Sequence, residues 1–410
     1  MDRLEDFYEE AWQFYRKPIK GFSKSLIRRY DKFLVDRGLL NSTSKLVVSN
    51  PSDIELEKYP PSTTTNILSK PKKIAFIHEE VAHVSGGRYY SFFLISALLE
   101  MGHSVTVYTN RKPVYSEDFE KYKKPKFRIV ASVGSQLVST EAKADIYIGS
   151  PIHGAIAAIK LAKKYNKPAF TLVFDPVPMV RKYSNERGWT AFDQLEKITK
   201  QSDAKIISLC NETTRWICSW LNKRPEDVYP VYPCINSRVL DDKKRNYKRQ
   251  KYAIFISRIV DRKRFEDTII AVKKANVKLK VITTLGGSAA QEIVKKHNAT
   301  KLVDFYIGVD DTTKFDMIRK SSVVINSSIF EGFGMYVAEA VATGTPFVGY
   351  DYPTFREIEE YSGAKNFYFA KRKDPDDLAE KLTQALKEKR FEKQSKLFHF
   401  ERMVERLGRI

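Results

Sequence analysis

The chain has 410 residues, 42% of them hydrophobic and 12% aromatic, and its 71 Lys and Arg against 50 Asp and Glu give a formal charge of +21. That length exceeds one ordinary core and suits two domains of about 150 residues each plus extensions. The charge predicts an anionic partner (phosphorylated substrate, anionic membrane or nucleic acid) without choosing among them, while three cysteines with no CxxC pair and no neighbouring His at ligand spacing exclude a disulfide framework and a zinc site.

Residues 1–72 lack regular alternation and form an N-terminal extension, closed by linker-like Tyr59-Pro60-Pro61 and Lys70-Pro71. Within it Ile19, Phe22, Leu26, Ile27, Tyr30, Phe33 and Leu34 recur at helical spacing, with Lys20, Lys24, Arg28, Arg29 and Lys32 on the other side. This basic amphipathic helix has two readings: docking on the protein's own core, or lying on an anionic membrane, where each basic residue contributes about 1 kcal/mol. Met1–Glu10 is acidic and lacks a signal peptide's apolar centre, and no apolar run reaches the roughly 18 residues of a membrane span. A cytoplasmic protein with peripheral membrane contact at most is expected.

From Lys73 the pattern changes. Lys73–Ile77 reads as a buried parallel strand, followed by a Gly86-Gly87 loop, a helix over Arg88–Met101 stopped by Gly102, and a strand at Ser104–Tyr108. Further strands are predicted at Ile129–Ser132, Asp145–Gly149, Ala169–Phe174 and Ile206–Leu209, with helices at Gly154–Lys164 and Thr213–Leu221. The basic run from Asp241 to Arg249 marks a boundary. Alternation then restarts, with strands at Tyr252–Ile256, Lys280–Thr283, Val303–Tyr306, Val323–Asn326 and Pro346–Gly349, and helices at Phe265–Lys274, Ala289–Lys296 and Thr313–Lys320. Asp374–Lys389 and Phe391–Leu407 are expected to be closing helices. The organisation is therefore α/β: an extension at 1–72, a Rossmann-like domain at 73–240, a second at 251–390, and a C-terminal closing helix in 391–410.

The most informative segment is Ser322–Tyr350, in which an apolar strand gives way to a Gly-rich loop that opens a helix. Free backbone N–H groups and a helix dipole at the carboxyl end of a parallel strand predict an anion site. Gly332 and Gly334 permit close backbone approach. Glu331 precedes the helix and Glu339 lies inside it, roughly 6–8 Å further along at about 1.5 Å per residue, so one carboxylate can serve each side of a diphosphate.

Ser328-Ile329-Phe330-Glu331-Gly332-Phe333-Gly334-Met335, with Glu339-Ala340 and Ala342-Thr343-Gly344-Thr345-Pro346, resembles the Glu-x7-Glu signature of the retaining GT-B glycosyltransferases, in particular the glycogen synthase-like (GT4) family, the glycosyl transferases group 1. The resemblance implies a GT-B fold in which two Rossmann-like domains face a cleft, with Glu331 near the donor sugar, Glu339 on the ribose hydroxyls, and Gly332, Phe333, Gly334 and Met335 around the donor. Ile256-Ser257-Arg258-Ile259-Val260-Asp261-Arg262-Lys263 is similar to the family's strand-ending Gly-Arg-x-x-x-x-Lys-Gly, which makes Arg258 and Lys263 the cations on the donor diphosphate. Such cations offset the charge that develops on a departing nucleoside diphosphate, so no metal is required. The family's usual glycines are replaced here by Ser257 and Arg264. Gly286 in Thr283–Gly287, and Gly308 and Val309 in Tyr306–Val309, look like the turns that complete the donor pocket. Gly86 and Gly87 resemble the family's early Gly-Gly loop.

One departure stands out. Many relatives carry a His at the end of the strand Ala169–Phe174; here the register puts Phe174 in that place with Asp175 next. Asp175 becomes the candidate polar contact to sugar or acceptor, the alternative being an Asx-type turn before Pro176. His78, His83 and His153 sit near strand ends and are the other candidates.

The expected activity is that of a metal-independent, retaining hexosyltransferase that needs no cofactor beyond its nucleotide-sugar substrate and glycosylates a lipid-linked or cell-surface glycan. Two alternatives stay open: a catalytically silent nucleotide-sugar-binding scaffold, and a GT-B enzyme acting on nucleic acid. The basic run around Lys243–Arg249 holds a single aromatic, Tyr247, which argues against the second.

Overall fold

The structure, a computed structural model, describes residues 66–78, 86–110, 119–130, 142–178, 190–240, 248–284 and 287–410. The amphipathic helix expected within residues 1–72, His83 and Gly286 lie outside the described residues.

The first half is built on β1 (Lys73–His78), α1 (Gly86–Glu100), β2 (Ser104–Thr109), β3 (Lys126–Ile129), β4 (Ile146–Ser150), α2 (Ile152–Tyr165), β5 (Ala169–Leu172), α3 (Thr190–Lys200), β6 (Lys205–Ser208), α4 (Asn211–Leu221) and β7 (Val228–Pro230). Its sheet is seven-stranded in the order β3-β2-β1-β4-β5-β6-β7. All pairings are parallel, for example Phe76 beside Val107 on one side and Ile148 on the other. β1 is buried from Ile74 to His78 because helices cover both faces of the sheet, so its sequence reads as a continuous apolar run instead of an alternation.

The second half comprises β8 (Tyr252–Ile256), α5 (Phe265–Lys274), β9 (Lys278–Thr283), α6 (Gly287–Lys296), β10 (Val303–Ile307), α7 (Asp311–Lys320), β11 (Val323–Asn326), α8 (Met335–Thr343), β12 (Phe347–Tyr350), α9 (Pro353–Ser362), β13 (Phe367–Ala370), α10 (Pro375–Glu388) and α11 (Phe400–Leu407). Its parallel sheet has six strands in the order β10-β9-β8-β11-β12-β13.

β8, β11 and α5 coincide with their expected bounds. β3 begins three residues before its expected start, and β5 stops at Leu172, releasing Val173 to Asp175 into the loop. The expected helix Phe391–Leu407 is corrected to Phe400–Leu407. Residues 391–399 instead carry the chain back toward the first half, where Phe400 packs 4.9 Å from the Tyr122 ring and 6.3 Å from Phe93 on α1. That return runs beside the outgoing connection after β7: Ile235 N donates to Phe398 O at 2.8 Å and Phe400 N to Ser237 Oγ at 3.1 Å. The chain thus passes between the halves twice at one place. Among the described residues no helix is long and apolar enough to cross a membrane.

Candidate active site

In an open parallel sheet, crevices form outside the carboxyl ends of the strands where the strand order reverses. The reversals here fall between β1 and β4 in one sheet and between β8 and β11 in the other. Gly86 and Gly87, expected in a loop before a helix at Arg88, instead open α1 itself after β1; Ser257–Lys263 follows β8 and Ser327–Gly334 follows β11, so topology alone gathers the motif segments.

Local bonds then fix the two second-half loops to each other. Ser327 Oγ donates to the carbonyls of Lys263 and Arg264 at 2.9 and 2.7 Å, and Ile329 N donates to Arg262 O at 3.0 Å. Asn326 Oδ1 accepts from Ser328 N at 2.9 Å and from its hydroxyl at 2.5 Å, shaping the bend out of β11. Glu331 and Lys263 are thereby placed side by side, both buried, and form an ion pair. The Tyr336 hydroxyl donates to the same carboxylate oxygen at 2.8 Å. Burial alone would raise the Glu331 carboxyl, but Lys263 and Arg262 outweigh it and hold the group below the usual carboxylate range. Burial in turn pushes the Lys263 ammonium down, against the pull of Glu331.

Arg262, the residue that the spacing argument passed over, reaches to the first half. Its Nη1 lies 3.3 Å from Asp175 Oδ2, and its guanidinium sits 5.2 Å from the centroid of the Phe330 ring. Asp175 therefore belongs to the same cluster as Glu331 and Lys263. Arg258, at the end of β8, is half-buried. Arg262 and Lys263 are thus matched by Asp175 and Glu331 in charge.

Gly332 is one of the places where the halves meet closely. A Cβ built there would stand 2.3 Å from Phe174 O and 2.6 Å from Asp175 Oδ1, so only glycine fits. Gly334 has φ +88° just before α8, and any Cβ would also press on Phe355 at 2.9 Å. Across the gap, Gly86 faces Met335, whose Cγ would be 3.6 Å from a Cβ, while within the first half a Cβ on Gly87 would stand 3.0 Å from the Phe174 ring. Phe174, in the place expected for a His, packs edge-on to Tyr90 at 5.9 Å. The Phe333 side chain is buried between Tyr232 and Phe398, with centroids at 6.0 and 5.7 Å, so it offers a ligand only its backbone.

Glu339 lies on α8, buried, with Oε1 2.6 Å from Lys314 Nζ on α7. Burial raises the Glu339 carboxyl, and Lys314 opposes that shift. Nothing in the spacing of sequence motifs pointed to Lys314, because the pairing joins two helices; its one local cue is Asp311, an i,i+3 partner at 2.7 Å. Gly308, with φ +67°, and half-buried Val309 lie just past β10, the edge strand, two strands from the reversal. His78 is buried at the end of β1, and His153 is half-buried at the start of α2.

Residues 236–398 match the model of a family described as "Glycosyl transferases group 1", a stretch that holds the second sheet with its loops. An uncharacterized glycosyltransferase of Methanocaldococcus jannaschii is 23% identical over 206 residues, covering 46% of this chain and 52% of that protein. The alignment thus spans about half the length of that curated relative. Sucrose-phosphate synthase from Thermosynechococcus elongatus superposes with a TM-score of 0.67 at 14% identity, over 82% of this chain and 98% of that one. The catalytic domain of starch synthase IV from Arabidopsis thaliana, solved with ADP and acarbose, gives 0.57 at 12% identity, over 83% and 96%. These likenesses concern architecture: two Rossmann-like sheets facing each other in the GT-B fold.

Proposed function

We propose that the chain is a retaining glycosyltransferase of the glycogen synthase-like (GT4) family, moving a hexose from a nucleotide sugar to an acceptor hydroxyl without a metal. The single observation that carries this reading is the buried Lys263–Glu331 pair beside Arg262, just before α8, opposite Asp175 and the Gly86-Gly87 start of α1.

In this reading the second half binds the donor and the first half the acceptor. Glu339 takes the ribose hydroxyls, and Gly332, Gly334 and the first N–H groups of α8 seat the phosphates. Lys263 and Arg258 stabilise the leaving diphosphate as its charge grows, and Glu331 orients the sugar. For Lys263 to serve the diphosphate its ammonium must turn from Glu331, which leaves that carboxylate available to a sugar hydroxyl at the same moment. Attack comes from the front face, and the departing phosphate oxygen helps to accept the acceptor proton, so no protein nucleophile is needed. Asp175, held by Arg262, borders sugar and acceptor.

The test is hydrolysis and transfer with a panel of uridine, guanosine and adenosine diphosphate sugars. One donor should be turned over, and Glu331→Ala should abolish turnover. A donor that binds but is never turned over would favour the silent-scaffold alternative, for which Phe174 in the place of a His is the motive.

The acceptor proposed is a lipid-linked or cell-surface glycan, supported by the amphipathic, basic composition of residues 19–34. Flotation with anionic liposomes should be lost on deletion of residues 1–40; undiminished flotation would remove the basis for a membrane-surface acceptor.

A further inference from the structure

Lys314 stands outside the Gly-rich loop and outside both motif segments, yet it is the partner that the structure gives to Glu339. Its ammonium bridges two carboxylates, Glu339 Oε1 at 2.6 Å and Asp311 Oδ1 at 2.7 Å, with the lysine side chain only 15% exposed. The far side of the bridge is itself anchored. Asp311 Oδ2 accepts from Asn236 Nδ2 at 2.8 Å, and Asn236 Oδ1 accepts from the Tyr122 hydroxyl at 2.9 Å. The ammonium also lies 5.8 Å from the ring centroid of Tyr89, in the first turn of α1.

Two buried carboxylates this close cannot both remain ionised without a cation between them. A protonated carboxyl would present a donor where a sugar diol also presents donors. An ionised carboxylate offers about four acceptor sites, and one ion pair leaves most of them open. Asn236 and Tyr122 hold Asp311, Asp311 holds Lys314, and Lys314 sets the orientation of Glu339. We infer that Lys314 is the positioning residue of ribose recognition, keeping Glu339 ionised and turned so that its remaining acceptor sites meet the vicinal diol of the donor nucleotide. This inference rests on reading Glu339 as the ribose contact.

Calorimetric titration with UDP, GDP and ADP, each against its 2′,3′-dideoxy counterpart, tests it on the full chain. The wild type should bind one ribonucleotide at least about tenfold more tightly than its dideoxy form, as expected for a charge-assisted hydrogen bond. Lys314→Met should bring that ratio close to one while leaving the dideoxy affinity unchanged, a pattern that a merely structural lysine would not produce. Because the single change leaves Asp311 and Glu339 facing each other, the double variant Lys314→Met, Asp311→Asn removes one charge of each sign and is read in the same way. A wild-type ratio in both variants overturns the role of Lys314. The reading beneath it fails separately: if Glu339→Gln also keeps the ratio, Glu339 is not the ribose contact, and if none of the three diphosphates binds, the proposed function falls and takes this inference with it.

Discussion

Lys263 and Glu331 are the clearest case of one side chain defining another. Both are buried, so each is tolerable only because the other is present. Lys263→Met should therefore lower stability by about 3–5 kcal/mol in denaturant titration, well beyond the cost of losing a surface ion pair. The pH dependence has a definite sign. Glu331 releases its proton more readily in the folded chain than in the unfolded one, so its contribution is complete above the unfolded carboxylate range and is lost as pH falls through the folded value. The difference in melting temperature between wild type and Glu331→Gln should accordingly narrow between about pH 5 and pH 3. A gap that stayed constant over that interval would show that the pair does not depress Glu331.

At the scale of elements, the turn into α5 shows a residue in a conformation made for another. Arg264 has φ +44°, in the left-handed region, at the position where Gly-Arg-x-x-x-x-Lys-Gly carries its second glycine. It is held there by two bonds to Asp267, 2.5 Å from Nε and 3.0 Å from Nη2, and Asp267 also accepts from the Tyr350 hydroxyl at 2.5 Å. Substituting Ala retains the left-handed cost and loses the ion pair, whereas Gly removes the cost. Arg264→Gly should be more stable than Arg264→Ala by about 1 kcal/mol in chemical unfolding, and equal stabilities would refute strain at this turn. The same loop shows what a sequence discloses and what it conceals. Glu331, Glu339 and the glycines between them could be read together because strand, loop and helix are contiguous, so spacing translates into geometry, whereas Lys263, 68 residues from Glu331, entered only through the resemblance of its own motif. Arg262 and Lys314 were not legible, because their partners, Asp175 and Glu339, are reached only through the tertiary fold. β13, α9 and α3 were passed over in the sequence for a related reason. α9 begins on Pro353 straight after a strand, and Phe367–Ala370 is a short edge strand of mixed exposure, so neither gives a long periodic signal. The continuous helix expected over Phe391–Leu407 read a charged, amphipathic composition as helical where nine residues are used to cross between the halves.

At the scale of the whole molecule, the fit of one half to the other depends on a buried carboxylate. Glu357 on α9 accepts from the backbone N–H groups of Asn211 and Glu212 at 2.7 and 2.8 Å, capping α4, and from the Tyr232 hydroxyl at 2.5 Å. A charge at the positive end of a helix dipole is favourable, and here it joins the second half to the first. Glu357→Gln weakens the cap while preserving its shape, so the halves should separate more readily. Small-angle scattering of that variant should show a larger radius of gyration than the wild type, with the difference reduced by a bound nucleotide sugar. An unchanged radius would mean that other contacts, such as Gly332 on Phe174, are sufficient. The excess of basic residues acts at this scale too, drawing anionic ligands toward the molecule as a whole without specifying where they bind.

The paired passages of chain between the halves have a mechanical consequence. One passage alone would let the halves twist in any direction, and two distant ones would lock them. Here Ile235 and Ser237 are bonded to Phe398 and Phe400, so both passages act as a single pivot. Any rotation of one half against the other would have to bend both passages together at this one place, because they are bonded side by side.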